Sequence, residues 1–168
     1  LYQLTIEKGT PFYRAYTDQK FTLPDEKLSA ELYNSTVTIM ESHGFHAYEI
    51  SNFASPGYES QHNLNYWRYT PYLGIGPGAH SRLPAENSRT AIMMLHTPEQ
   101  WLQSVNRHGH GIQQQQPIST DECLTECIMM GLRLDEGIPW KRLTQLSGMS
   151  HTILFDAKAL SDLQIEGL

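Results

Sequence analysis

The chain of 168 residues has two cysteines, few basic residues and no long apolar run. Nowhere do apolar residues approach the roughly 20 in succession that cross a bilayer, so no transmembrane segment is expected. The cysteines, Cys123 and Cys127, lie four positions apart, which does not read as a secreted disulfide framework. Lys and Arg number 12 against 18 Asp and Glu, for a net charge of −6. The basic residues are scattered singly. That argues against nucleic acid as the main partner, because a phosphate-binding surface needs a basic stripe. No basic leader with an apolar stretch and a cleavage site opens the chain. A soluble, cytoplasmic protein of a reducing compartment is expected. Apolar residues make up 39%, enough for a packed core but below the usual range of about 45–50%. The first residue is Leu1, already inside a strand-like pattern, and the last four are Ile165-Glu166-Gly167-Leu168. Both ends suggest a piece of a longer protein.

What is present is concentrated in two runs. His62-Asn63-Leu64-Asn65-Tyr66-Trp67 gathers an imidazole, two amides, a phenol and an indole into six positions. Tyr72-Leu73-Gly74-Ile75-Gly76-Pro77-Gly78-Ala79-His80-Ser81 follows, with three glycines and a proline whose backbone is bent or closely approached. Neither run follows a core period. Together they point to a pocket for a large, flat, partly apolar ligand, with a histidine able to bind metal.

Along the chain, residues 1–7 alternate Tyr2, Leu4 and Ile6 with polar positions, which predicts a strand. A loop rich in Tyr and Thr runs to Leu23. Pro24-Asp25-Glu26 opens a helix carrying Leu28, Leu32, Tyr33, Val37 and Met40, with Gly44 just past its end. Phe45 to Ile50 reads as a second strand, so the first 50 residues predict a βαβ unit with parallel strands. Residues 51–96 have weak periodicity, with a short bulged strand expected at Leu73 to Gly76. A capping box at Thr97-Pro98-Glu99-Gln100 predicts a helix over 98–107, ended by His108-Gly109-His110-Gly111. Gln113 to Pro117 reads as a linker. A second capping box, Ser119-Thr120-Asp121-Glu122, opens a helix, and Pro139 to Leu146 and Asp156 to Leu163 are two more.

Imidazole is the commonest protein ligand for haem iron and transition metals, which makes His62 the sharpest candidate. Tyr66 shares its helical face, and Trp67 and Tyr69 offer planar surfaces for a porphyrin. Ordinary packing of an aromatic-rich turn is the alternative. The spaced glycines 74, 76 and 78 lack a phosphate-loop pattern. His80 is a ligand or a structural histidine. Cys123, Cys127 and Met130 fall one cysteine short of the C-x3-C-x2-C cluster loop, and the helical setting reads them as core. His108 and His110, like His43 and His46, suit a helix end. Glu7 and Glu49 fall near the ends of the two expected strands, where α/β sites assemble; solvated loop carboxylates are the alternative.

These motifs occur in a recognisable order. Tyr2 to Glu7 with Gly9-Thr10-Pro11, Tyr48 to Ala54, His62 to Trp67, Tyr72 to Ser81, and Met130-Gly131-Leu132-Arg133-Leu134 with Glu136-Gly137 strongly resemble the C-terminal part of the HemW-type haem chaperones. Those are relatives of oxygen-independent coproporphyrinogen III oxidase in the radical SAM superfamily. The resemblance implies an α/β fold: the last βα units of a partial (β/α) radical SAM barrel in residues 1–54, a barrel-capping segment in 55–112, and the start of a small, mainly helical, winged-helix-like domain in 117–168. It implies haem binding through His62, Asn63, Tyr66 and Trp67, with His62 on the iron, and places Gln3 and Ile75 near S-adenosylmethionine. The [4Fe–4S] cluster and most S-adenosylmethionine contacts would belong to a half of the parent lacking here. Implied partners are haem and apo-haemoprotein clients, with a homodimer of the parent, in the cytoplasm or at the membrane periphery. A coproporphyrinogen oxidase remains the alternative.

Overall fold

The computed structural model describes residues 2–85, 88–150 and 154–166. The chain divides into two compact units, Leu1–Ser60 and Gln61–Leu168.

In the first unit, helix α1 covers Pro11–Thr17 and helix α2 covers Glu26–Ser42. Both begin on side-chain caps. Thr10 Oγ1 accepts from the Tyr13 amide at 3.2 Å, with proline at the first helical position, and Asp25 Oδ1 accepts from the Leu28 amide at 2.8 Å. Residues 11–17, expected as loop, are helical because Thr10-Pro11 supplies a cap and a first-turn proline. α2 forms as expected and stops at Gly44, whose φ is +78°. Its apolar residues Leu28, Leu32, Tyr33 and Ile39 remain exposed.

Strands β1 (His46–Glu49) and β2 (Asn52–Ala54) pair antiparallel, with a register shift between Ala47 and Glu49. Residues 2–7 form no strand, and Leu1 lies outside the described residues. The parallel βαβ unit is therefore corrected to a helix followed by a hairpin. A parallel strand pair needs cover on both faces, and β1 instead takes the nearest partner a tight turn supplies. Side chains hold the first segment: the Gln3 amide donates to the Ser29 carbonyl at 2.9 Å, and the Tyr2 hydroxyl lies 3.4 Å from Asn52 Oδ1. Glu49 is buried inside the hairpin turn, where its carboxylate accepts from the Ser51 amide at 3.0 Å and the Asn52 side chain at 2.5 Å.

The second unit begins with α3 (Gln61–Trp67). Strands β3 (His80–Ala85), β4 (Ser88–Met94) and β5 (Ile112–Ile118) form an antiparallel sheet in the order β3-β4-β5. Helix α4 (Pro98–His108) links β4 to β5. Helices α5 (Thr120–Gly131), α6 (Trp140–Ser147) and α7 (Ala157–Ile165) follow. The expected linker at 113–117 is thus an edge strand, with Ala91 opposite Gln116. The expected strand at 73–76 is a loop, and Tyr72 alone bridges to Arg82. The box at Ser119 forms in full, with the Ser119 amide 2.8 Å from Glu122 Oε2 and the Glu122 amide 3.3 Å from Ser119 Oγ. The one at Thr97 does not, because its hydroxyl donates to Gln100 Oε1 at 2.6 Å instead of capping an amide.

The core of this unit gathers Tyr69, Ile118, Cys123, Cys127 and Leu143, with Ala91, Leu124, Ile128 and Ile138 packed around them. The cysteines are 2% and 1% exposed, a helical turn apart on the inner face of α5. Gly131 extends that face: a Cβ there would stand 2.3 Å from Ile138 Cγ1. No helix of the described residues is long and apolar enough to cross a membrane.

Leu143, 3% exposed, and Leu132, 69% exposed, separate core from surface. Urea unfolding should show Leu143→Ala destabilised by about 2–5 kcal/mol and Leu132→Ala shifted by less than about 0.5 kcal/mol. Equal effects would place the core elsewhere.

Candidate functional site

α3 spans seven residues, short of the roughly 12–15 an isolated helix needs. Tertiary contacts must hold it. At its C-terminal end Tyr69 takes the left-handed conformation, φ +51°, without being glycine, at a cost of about 1–3 kcal/mol. Its side chain shows what offsets that. The Tyr69 hydroxyl donates to Glu126 Oε2 on α5 at 2.7 Å. Arg89 on β4 lays its guanidinium 3.9 Å over the Tyr69 ring and donates from Nη2 to the Tyr69 carbonyl at 2.7 Å. Arg82 on β3 closes the network, donating from Nη2 to Glu126 Oε1 at 2.8 Å and from Nε to Oε2 at 3.0 Å.

The next attachment lies one residue earlier. Arg68 and Glu136 make a two-pronged ion pair, Nε to Oε1 and Nη2 to Oε2, both 2.8 Å. Arg133 places its guanidinium carbon 4.4 Å over the Trp67 ring. The Trp67 indole N–H is enclosed with no hydrogen-bond partner among the described residues. The loop after α5 therefore grips the C-terminal end of α3 from two sides.

That grip turns the other face of α3 outward. His62 is exposed, and its ring meets Tyr66 edge-on, centroids 4.8 Å apart at 81°. Tyr66 in turn meets Tyr72 at 4.6 Å and 70°. Asn63 and Trp67 are half-buried on the same helix, and Leu64 anchors it inward. Beside it the glycine-rich loop folds back on β3. The Gly74 amide donates to the fully buried Ser81 hydroxyl at 3.0 Å, and a Cβ on Gly74 would stand 2.1 Å from the His80 carbonyl oxygen. Only glycine fits there.

Of the expected S-adenosylmethionine residues, Gln3 belongs to the first unit and Ile75 to the second. Gln3 lines a cavity of about 410 Å³ with Leu4, Phe21, Leu32, Tyr33 and Phe53, and Ile75 is 83% exposed. His80 and Glu7 are exposed. His43 and His110 are engaged locally: His43 Nδ1 lies 2.8 Å from the Ile39 carbonyl, and His110 Nδ1 accepts from the Ile112 amide at 3.3 Å. His108 Nδ1 lies 3.4 Å from the Ser104 hydroxyl.

Electrostatics follow the geometry. Hydrogen bonds from Arg82 hold the Glu126 carboxyl below its usual 4.5, and those from Arg68 do the same for Glu136. Burial, then the hydrogen bond to Glu126, pushes the Tyr69 phenol well above its usual 10. Burial also raises the Cys127 thiol. Two buried thiols on the inner face of a helix do not fit the thiolate ligands of a [4Fe–4S] cluster. No group of three or more His, Cys, Asp or Glu gathers for a metal ion among the described residues. An exposed imidazole beside a tyrosine ladder does fit a ligand that brings its own iron.

Sequence reasoning found α3 by its residue types. It missed Arg68, Arg82, Arg89 and Glu126, whose partners lie 20 to 68 positions away. Arg133 and Glu136 fell inside a quoted motif, and nothing local in that motif gave them a role.

The second unit's end, residues 118–168, matches the family described as HemN C-terminal domain. A solved structure, coproporphyrinogen III oxidase (HemN) from Escherichia coli, a radical SAM enzyme, superposes with a TM-score of 0.60 over 87% of this chain and 36% of its own, at 17% identity. That similarity shows the fold, which this chain shares with part of that enzyme. The mitochondrial radical S-adenosyl methionine domain-containing protein 1 of Bos taurus is 37% identical over all of this chain and 39% of its own length. The heme chaperone HemW of Bacillus subtilis is 34% identical over all of this chain and 43% of its own length. The chain belongs to this HemW- and HemN-like radical SAM family, and it spans well under half the length of the curated relatives it matches.

The Tyr69–Glu126–Arg82 network predicts a stability profile with two limbs. A carboxyl held below 4.5 stabilises fully above that value, and its contribution is lost as pH falls through the lowered one. A phenol held above 10 stabilises fully below 10, and its contribution is lost as pH climbs further. In urea titrations from about pH 3 to about pH 11, Glu126→Gln should flatten the acid limb and cost about 1.5–3 kcal/mol at neutral pH. Tyr69→Phe should flatten the alkaline limb. An unchanged acid limb in E126Q would assign it to other carboxylates.

Proposed function

We propose that this chain is the haem-binding portion of a haem chaperone of the HemW type. The observation that carries the reading is the exposed His62 imidazole, neither of whose ring nitrogens is hydrogen-bonded among the described residues, on one helical face with Tyr66. Imidazole is the usual proximal ligand to haem iron. His62 supplies the axial donor, Tyr66 and Asn63 border the macrocycle, and Trp67 shapes the site. The iron and the conjugated ring are the haem's own chemistry. The chain holds it, orients it and presents it.

The whole protein, on this reading, passes haem to apo-haemoproteins in the cytoplasm or at the membrane periphery. It carries a [4Fe–4S] cluster and S-adenosylmethionine in its other half, with Gln3 and Ile75 near the S-adenosylmethionine, and it can form a homodimer. Relatives named as haem chaperones, 30% to 35% identical over most or all of this chain, support it. The fold shared with coproporphyrinogen III oxidase favours a second reading, in which the parent decarboxylates coproporphyrinogen III by radical chemistry. Both ligands are tetrapyrroles. The His62-Asn63-x-x-Tyr66-Trp67 pattern ranks the chaperone first.

Haem titration of the full-length parent tests the assignment. His62→Ala should weaken binding at least about tenfold, one axial bond being worth more than about 1.4 kcal/mol, and should shift the Soret band. Unchanged affinity and spectrum would remove His62 from the site, and turnover of coproporphyrinogen by the reconstituted parent would reverse the ranking.

A further inference from the structure

Three of the motif residues on α3 meet different neighbours. His62, which is exposed, and the half-buried Tyr66, one helical turn apart, form a ladder with the half-buried Tyr72. Trp67 turns inward: Arg133 covers one face of its ring and its indole N–H is enclosed. Arg68, next in the chain, is held by both carboxylate oxygens of Glu136. The gripping residues lie within four positions of each other in the loop between α5 and α6, 66 and 68 residues beyond the side chains they hold. A seven-residue helix has little stability of its own. Without that grip, positions 62 and 66 need not stay on one helical face.

We propose that Arg133 and Glu136 are positioning residues for the haem site: the α5–α6 loop fixes the C-terminal end of α3 through Trp67 and Arg68, and so sets the direction in which His62 and Tyr66 point. Trp67 then acts as the wedge that registers the helix, not as a surface on which the porphyrin stacks. The proposal rests on haem binding at His62. It adds that the α5–α6 loop, acting through Trp67 and Arg68, tunes the ligation.

The experiment uses the full-length parent, with ferric haem as the probe. Affinity, Soret maximum and electron paramagnetic resonance signature are read for Glu136→Ala, Arg133→Ala, Arg133→Lys, the reversed pair Arg68→Glu with Glu136→Arg, and His62→Ala. E136A and R133A should weaken haem about three- to tenfold and shift the ligation spectrum towards that of H62A. The reversed pair should restore affinity and spectrum to within about twofold of the parent, since opposite charges still meet across the same gap. R133K should behave like R133A, because an ammonium cannot lie flat over the indole as a guanidinium does. If H62A loses haem while E136A and R133A keep the parental affinity and spectrum, the inference is overturned and the haem site stands. If weakening in E136A is not rescued by the reversed pair, the ion pair is not what positions the helix, and the inference falls. If H62A itself binds as the parent does, the underlying reading fails and this one with it.

Discussion

The second unit depends on one residue being held in a conformation it does not favour. Tyr69 ends α3 in the left-handed region, where a side chain normally gives way to glycine. Its phenol bonds Glu126 on α5, its ring lies beneath Arg89 of β4, and its carbonyl accepts from the same arginine. In this conformation its ring belongs to the apolar core with Ile118, Cys123, Cys127 and Leu143. Helix end, sheet and core helix meet at a single side chain. Burial of the aromatic ring, of order 2 kcal/mol, together with a charge-assisted hydrogen bond of about 1.5–3 kcal/mol, is enough to offset the strain.

Around Tyr69 one carboxylate, Glu126, pairs with Arg82, while Arg89 is held by the Tyr69 carbonyl and ring. Glu126 is a third exposed or less, and so is Arg82, so solvent screens their pairing only in part. Glu126 accepts from Arg82 and Tyr69 at once, which satisfies both carboxylate oxygens. The Arg68–Glu136 pair is more exposed and contributes correspondingly less to stability. Its two-pronged geometry gives it a different use, since two parallel hydrogen bonds fix an orientation where a single contact would fix only a distance. Stability resides in the buried network, and aim resides in the exposed clamp.

Local chemistry was legible in the sequence and distant pairing was not. The helices beginning at Asp25, Ser119 and Asp156 were readable because a cap is made within three residues of itself. The edge strand Gln113 to Pro117 was not, because nearly all of its residues are exposed, so no alternation marks it. β3 and β4 hid for a related reason: only Ser81 and Ile92 are buried along them, and they face one another across the ladder. At the site, residue type alone singled out α3. The α5–α6 loop was quoted for its motif, yet its hold on Trp67 and Arg68 spans more than 60 positions and leaves no periodic trace.

An exposed histidine is an unusual place for a tightly held cofactor, and that bears on which tetrapyrrole reading is the better one. An enzyme that must shield a radical intermediate gains from enclosing its substrate, because closure excludes water from the reacting centre. A carrier must release its cargo to another protein. Affinity differences among related sites lie mostly in the dissociation rate, so a ligand on an open helical face leaves more readily than one locked in a core. α3 presents His62 on such a face while Trp67, Arg68 and Tyr69 tie the same helix down from behind. On the proposed reading, a donor fixed in direction by Trp67, Arg68 and Tyr69 is what lets so short a helix hold a ligand that brings its own iron.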